Sequence, residues 1–248
     1  DGNGFGDFYY TPPTGFLALS SANLPISDDI DPAQTDDDYP SKQFNAITYT
    51  GTGSSNAFTG VGFQPDLVWF KKRNSTSNSN NRMVDSSRGV VKSVTANSNA
   101  AEGNDTNGLT AFGSDGFTVG ADENYNQSSH TYVAWCWKAN SGVTSSNTDG
   151  SITSTVQANT NAGFSIVTYT GGYGSWGSSY RSTFGHGLTK APEFMIFKER
   201  DNTDMWTVFH HSVGDGGGSN PASNNLRLDT NEALYTNQSY KSFGGVMP

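Results

Sequence analysis

The chain has 248 residues, of which 33% are hydrophobic, 12% aromatic and only 15% charged, with 29 glycines; this is enough for one large or two modest cores and excludes intrinsic disorder. Ser, Thr, Asn and Gly replace the missing aliphatics, which points to short strands joined by many turns and excludes a helical bundle. The net charge of -9 is concentrated at one end, since the first 41 residues hold eight acids and no Lys or Arg, leaving 15 acids against 14 basic residues.

In chain order, Gly2 to Leu24 opens with Gly-rich aromatic strand sequence around Phe5, Phe8, Tyr9 and Tyr10, with no earlier element to pair with. A preceding domain is expected. Asp1 to Gly6 is polar and acidic, unlike a secretory signal. Asp28, Asp29, Asp31, Asp36, Asp37 and Asp38 form a self-repelling, solvated run. It lacks the alternating ligand positions and the glycine turn of a calcium loop, so an acidic linker is the reading preferred.

Phe44 to Thr50 alternates with period two and stops at Gly51-Thr52-Gly53, which predicts a strand. Leu67 to Lys71 reads as a buried strand, and its apolar run is far shorter than the roughly 20 residues of a membrane helix, so no membrane insertion is expected. Lys71, Lys72 and Arg73 are the single basic cluster, too little to neutralise a phosphate backbone, so no nucleic-acid partner is expected. Ala96 to Glu102 is the one stretch with any helical tendency. Gly116 to Gly120 and Thr131 to Trp137 read as two strands of an antiparallel hairpin across the polar turn Asp122 to Ser129. The lone Cys136, between Trp135 and Trp137, reads as a buried, inert thiol. Ser141 to Gly163 is rich in Ser, Thr, Asn and Gly and reads either as a flexible linker or, through the β-prone Ile152 to Val156, as a strand added to a neighbouring sheet or chain.

The chain repeats itself. Phe44 to Gly51 returns as Phe164 to Gly171 with five of eight positions identical. Gly60 to Phe63 matches Gly185 to Leu188, Pro65 to Lys71 matches Pro192 to Lys198, and Arg73 meets Arg200. Two sandwiches of about 100 residues each are predicted, the second stopping before any counterpart of the Gly116 to Trp137 strands.

The best binding candidate is the enlarged turn Gly172 to Thr183, with Tyr173, Trp176 and Tyr180 among glycines. Exposed rings there would stack on sugar faces or anchor a protein interface, although such rings also plug sandwich ends. Trp69, Trp135, Trp137 and Trp206 lie on predicted strands and read as scaffold. His210 and His211, near Asp201, Asp204 and Asp215, raise the idea of a metal site, but neighbouring strand residues point to opposite faces, so no metal is expected. No pair of carboxylates stands out for glycoside hydrolysis, and Gly174 to Ser178 lacks the strand-to-helix setting of a nucleophile elbow. No catalytic residue and no cofactor are expected.

Gly6 to Leu19 resembles the closing segment of a SPRY-like, concanavalin-type domain of marine tailed-phage proteins. Gly60 to Lys71, Tyr132 to Ala139, Ser146 to Val156 and Gly163 to Gly171 resemble a domain of unknown function found in tandem in those virion or tail-fibre-like proteins. The resemblance implies an all-β chain of tandem antiparallel β-sandwich domains, jelly-roll or concanavalin-like, with very little helix. It divides the chain into 1–41, the end of a SPRY-like domain plus an acidic linker; 42–141, the first repeat; 142–163, a linker; and 164–248, a truncated second repeat. It further implies a structural and adhesive virion module made in the host cytoplasm, whose partners are other virion subunits, a homo-oligomer with a trimer favoured, and host-surface glycan. A stand-alone carbohydrate-binding lectin and a tailspike-type glycan depolymerase are the alternatives.

Overall fold

The computed structural model describes residues 10, 13–16, 39–74, 79–171, 182–213 and 224–234. The chain forms two compact units, Asp1–Tyr39 and Pro40–Pro248. In the first, Phe16 N–H donates to the Pro13 carbonyl at 3.0 Å and closes a turn; the acidic run and most of the segment resembling a SPRY-like end lie outside the described residues.

The second unit begins with a 3-10 turn, Pro40–Lys42. Its first repeat holds β1 (Phe44–Thr50), β2 (Asn56–Phe58), β3 (Leu67–Lys72), β4 (Arg82–Asp85), β5 (Lys92–Thr95), β6 (Gly103–Asn104), β7 (Leu109–Gly113), β8 (Gly116–Val119), the single-turn helix α1 (Glu123–Asn126) and β9 (Thr131–Trp137). A six-stranded sheet, β1-β9-β3-β4-β5-β6, faces a three-stranded sheet, β2-β8-β7, and every pairing is antiparallel.

Period-two alternation sorts the side chains. Ile47 and Tyr49, Val68 and Phe70, Val84, and Ala134 and Cys136 point inward from the large sheet and meet Phe58, Leu109, Phe112, Phe117 and Val119 of the small one. The small sheet is also sewn to the loop before β3, because the Asp115 carboxylate accepts the Gly60 and Gly62 N–H groups at 2.9 and 2.6 Å. Those two bonds hold its carboxyl below the usual range.

The second repeat holds β10 (Ser145–Asn147), β11 (Ser154–Asn159), β12 (Phe164–Tyr169), β13 (Phe194–Phe197) and β14 (Thr207–His210). They make a three-stranded sheet β10-β11-β12 and a two-stranded sheet β13-β14, with Leu226 bridged to Val208. The two repeats pack back to back. Met83, Val94 and Ala96, with Leu67 and Trp69 beside them, face away from the first core and close over Trp206, Ile196 and Leu228. Further along the same face the rings of Trp137 and Phe164 lie 6.4 Å apart. Trp206 is buried and donates through Nε1 to the carbonyls of Thr95 and Ser98 at 2.9 and 3.1 Å.

Several local expectations change. The segment read as a linker or an added strand carries β10 and β11, and β11 is paired within the chain on both edges, to β10 and to β12. Gly116 to Trp137 is not a hairpin: β8 pairs with β2 and β7 and β9 with β1 and β3, so the chain crosses from one sheet to the other. The helix falls within the Asp122 to Ser129 turn and not at Ala96 to Glu102, because Asp122 caps it, its carboxylate accepting the Asn124 N–H at 2.8 Å. Trp206 is core as expected, whereas Trp69, Trp135 and Trp137 are half-buried on the outer face of the large sheet.

Candidate functional site

The described residues lay out the surroundings of the aromatic turn, while Tyr173, Trp176 and Tyr180 themselves lie outside them. Tyr169 at the end of β12 stacks on Phe184 with centroids 4.1 Å apart, and Phe184 meets Phe197 of β13 edge-on at 6.3 Å. Thr183 is pinned from the other side: its N–H donates to Ser151 Oγ and its Oγ1 accepts the Ser151 N–H, both at 3.0 Å, while its carbonyl accepts the Ile152 N–H at 2.9 Å. The turn therefore springs from a fixed aromatic base. Tyr169 remains 41% exposed, so one ring of that base is open to a ligand.

The histidine pair lies at the far end of β14. His211 follows the strand end, so strand alternation no longer separates it from His210, and the two rings are 5.1 Å apart. His211 Nε2 lies 3.8 Å from Glu193 Oε2 and 2.9 Å from Ser212 Oγ. A nucleophile, base and acid are thus neighbours, but both contacts use the same ring nitrogen, and among the described residues no group orients the imidazole from Nδ1 as in a catalytic triad. Among the described residues no cluster of three or more metal-type side chains occurs. Asp204 is occupied locally, accepting the Met205 N–H at 2.8 Å, and Asp215 lies outside the described residues.

Asp66 and Asp85 are buried and Glu102 and Asp105 half-buried, and each is engaged. Asp66 accepts the N–H groups of Ala139, Ser141 and Gly142 at 2.7, 2.9 and 2.8 Å and the Ser86 hydroxyl at 2.7 Å. Asp85 and Glu102 share Arg88, and Glu102 also takes Arg200 Nε at 3.0 Å from the second repeat. Burial alone would raise the Glu102 carboxyl; the hydrogen bond and charge of Arg88, helped by Arg200, bring it below its ordinary range. Asp105 accepts Tyr125 Oη at 2.8 Å and Ser93 Oγ at 2.7 Å. These acids work as joints, and sequence spacing gave little signal of them because, apart from Arg88 three residues after Asp85, their partners are 12 to 98 residues away.

Two further groups resolve as structural. Burial pushes the Cys136 thiol up to about 12, away from the thiolate that chemistry would need. The basic cluster is split, since Lys71 is exposed while Lys72 is buried and donates to Gln127 Oε1 at 2.7 Å.

No curated protein and no solved structure matches this chain. A family model does match, over residues 39–244, and the match runs through both repeats and the β10-β11 segment between them. The chain belongs to that family, DUF7483, a domain of unknown function.

Proposed function

We propose that this chain is a non-catalytic structural and adhesive module of a phage tail fibre or similar virion appendage, contacting a host surface or its glycans. The observation that supports this reading best is the interlock of the repeats. Glu102 binds Arg200, and Gln157 of β11 binds the hydroxyls of Ser86 and Ser87, so polar groups tie the two repeats together. Homo-oligomerisation, with a trimer favoured, would multiply weak contacts made by the displayed turns. Antibody labelling of purified virions by electron microscopy, with the mass of the native assembly from light scattering, tests it. Label on a tail appendage and a trimeric mass are expected. Label absent from the virion would overturn it.

A second reading, a free carbohydrate-binding module, is favoured by the open Tyr169–Phe184 stack at the root of Tyr173, Trp176 and Tyr180. It predicts that a monomer is retained on immobilised glycan and that Trp176→Ala abolishes retention.

A further inference from the structure

The large sheet of the first repeat has a second face, turned away from the first core. Strand alternation places Phe44, Ala46, Thr48 and Thr50 of β1 there, with Thr131, Val133, Trp135 and Trp137 of β9 and Leu67, Trp69 and Lys71 of β3. The registers arrange them in rows across the three strands: Phe44, Trp137 and Leu67, then Ala46, Trp135 and Trp69, then Thr48, Val133 and Lys71. A fourth row holds Thr50 and Thr131, and Arg73 joins it by donating its N–H to the Thr131 carbonyl at 2.7 Å.

The second repeat covers one part of this face. Trp206, Ile196 and Leu228 lie against Leu67 and Trp69, and Phe164 stacks with Trp137. The part toward β1 is exposed: Ala46, Thr48, Thr50, Lys71 and Arg73 all lie at the surface, and Phe44 is 40% exposed. Trp135 stands at the border of the two parts. It meets Trp69 edge-on at 5.8 Å, while its partner on β1 is Ala46, which offers only a methyl group beside the indole, and the ring is half-buried.

The chemistry of this strip selects a ligand. An indole and a phenyl ring next to small residues on a sheet face suit the C–H face of a sugar ring. The hydroxyls of Thr48, Thr50 and Thr131 line the adjoining rows and can exchange hydrogen bonds with sugar hydroxyls. The charge is of one sign: in a chain with 23 acids against 14 bases, these rows hold Lys71 and Arg73 and no Asp or Glu. Lys71 Nζ donates to the neutral Asn81 amide oxygen at 3.4 Å, which leaves its charge uncompensated. The strand rise sets the Lys71 row about 7 Å and the Arg73 row about 13 Å along the sheet from the Trp135 row, a spacing for successive anionic units of an extended chain.

We infer that this strip is a binding site for an anionic saccharide chain, stacked on Phe44 and Trp135 with its carboxylate or sulfate groups on Lys71 and Arg73. The inference rests on the adhesive reading and deepens it by naming the ligand class, and it uses residues other than those of the aromatic turn.

Calorimetry of the full chain with alginate and carrageenan hexasaccharides, which carry carboxylates and sulfates respectively, tests it beside neutral maltohexaose. Saturable binding of at least one anionic oligomer is expected, which also tells the two anions apart, with no binding of maltohexaose. Thr48→Glu, which adds an acid at an exposed position off the core, is expected to weaken binding about tenfold or more, and Trp135→Ala to do the same. Lys71→Gln with Arg73→Gln is expected to lower affinity and flatten its dependence on salt. Absence of saturable binding, equal binding of maltohexaose, or binding by a folded chain that is indifferent to either Thr48→Glu or Trp135→Ala would each overturn the assignment. Binding that Trp176→Ala abolishes would also overturn it, since the ligand would then sit on the aromatic turn. Virion labelling plays no part in these readouts, so this site and the virion role fail separately.

Discussion

Asp66 shows how much one side chain holds. Its two oxygens take three backbone N–H groups from the turn after β9 and one hydroxyl from the turn after β4. Asp66→Ala leaves these donors without an acceptor, and a loss of about 3 kcal/mol in urea unfolding is expected. Glu102 gives a pH dependence with a definite sign. Its folded carboxyl lies below its ordinary value of 4.5, so its contribution is present above that value and is lost as pH falls through the lower, folded one. Stability should therefore fall more steeply below pH 4.5 in the natural chain than in Glu102→Gln, as read by unfolding midpoints from pH 7 to 3. Cys136, with its thiol near 12, should resist a thiol reagent at pH 8 until denaturant is added. Rapid labelling of the folded chain would contradict its burial.

At the scale of elements, the alternation of Phe44–Thr50, the apolar run in Leu67–Lys71 and the β-prone stretch Thr131–Trp137 marked these strands from sequence, because a strand on a core must place apolar groups on its buried face. Which strands pair was not legible. β8 and β9 follow one another with only α1 between them, yet join different sheets, since the inward faces of both must cover one core. Gly116 records the closeness of that packing. A Cβ there would run into the Phe58 carbonyl, a backbone atom that cannot step aside. Gly116→Ala is expected to cost about 1–3 kcal/mol by overpacking, measured by thermal unfolding, although Gly116 lies in an ordinary extended strand. The candidate site was legible only as composition: a glycine-rich turn with three aromatics. Its rooting on Tyr169, Phe184 and Thr183 depends on Ser151 and Ile152, about 30 residues earlier in a segment that sequence reads equally well as linker.

At the scale of the whole molecule, the repeats are bound by a hydrophobic seam around Trp206 and by the Glu102–Arg200 pair, so Pro40–Pro248 is expected to unfold as one cooperative unit. Trp206→Ala removes a buried ring and two hydrogen bonds across the seam. A loss of about 3–5 kcal/mol is expected, together with a calorimetric transition that divides into two. A single, barely shifted transition would show that the seam carries little of the stability.

By itself the sequence determined the all-β class, the internal repeat, the positions of the main strands and the inertness of Cys136, because period-two burial and composition are local consequences of a strand lying on a core. Only the tertiary structure decided that the repeats lie back to back, that β10 and β11 form within residues 145–159, and that Asp66, Asp85, Glu102 and Asp105 are joints. These depend on which surfaces meet across tens of residues, and residue-by-residue propensity carries no record of that choice.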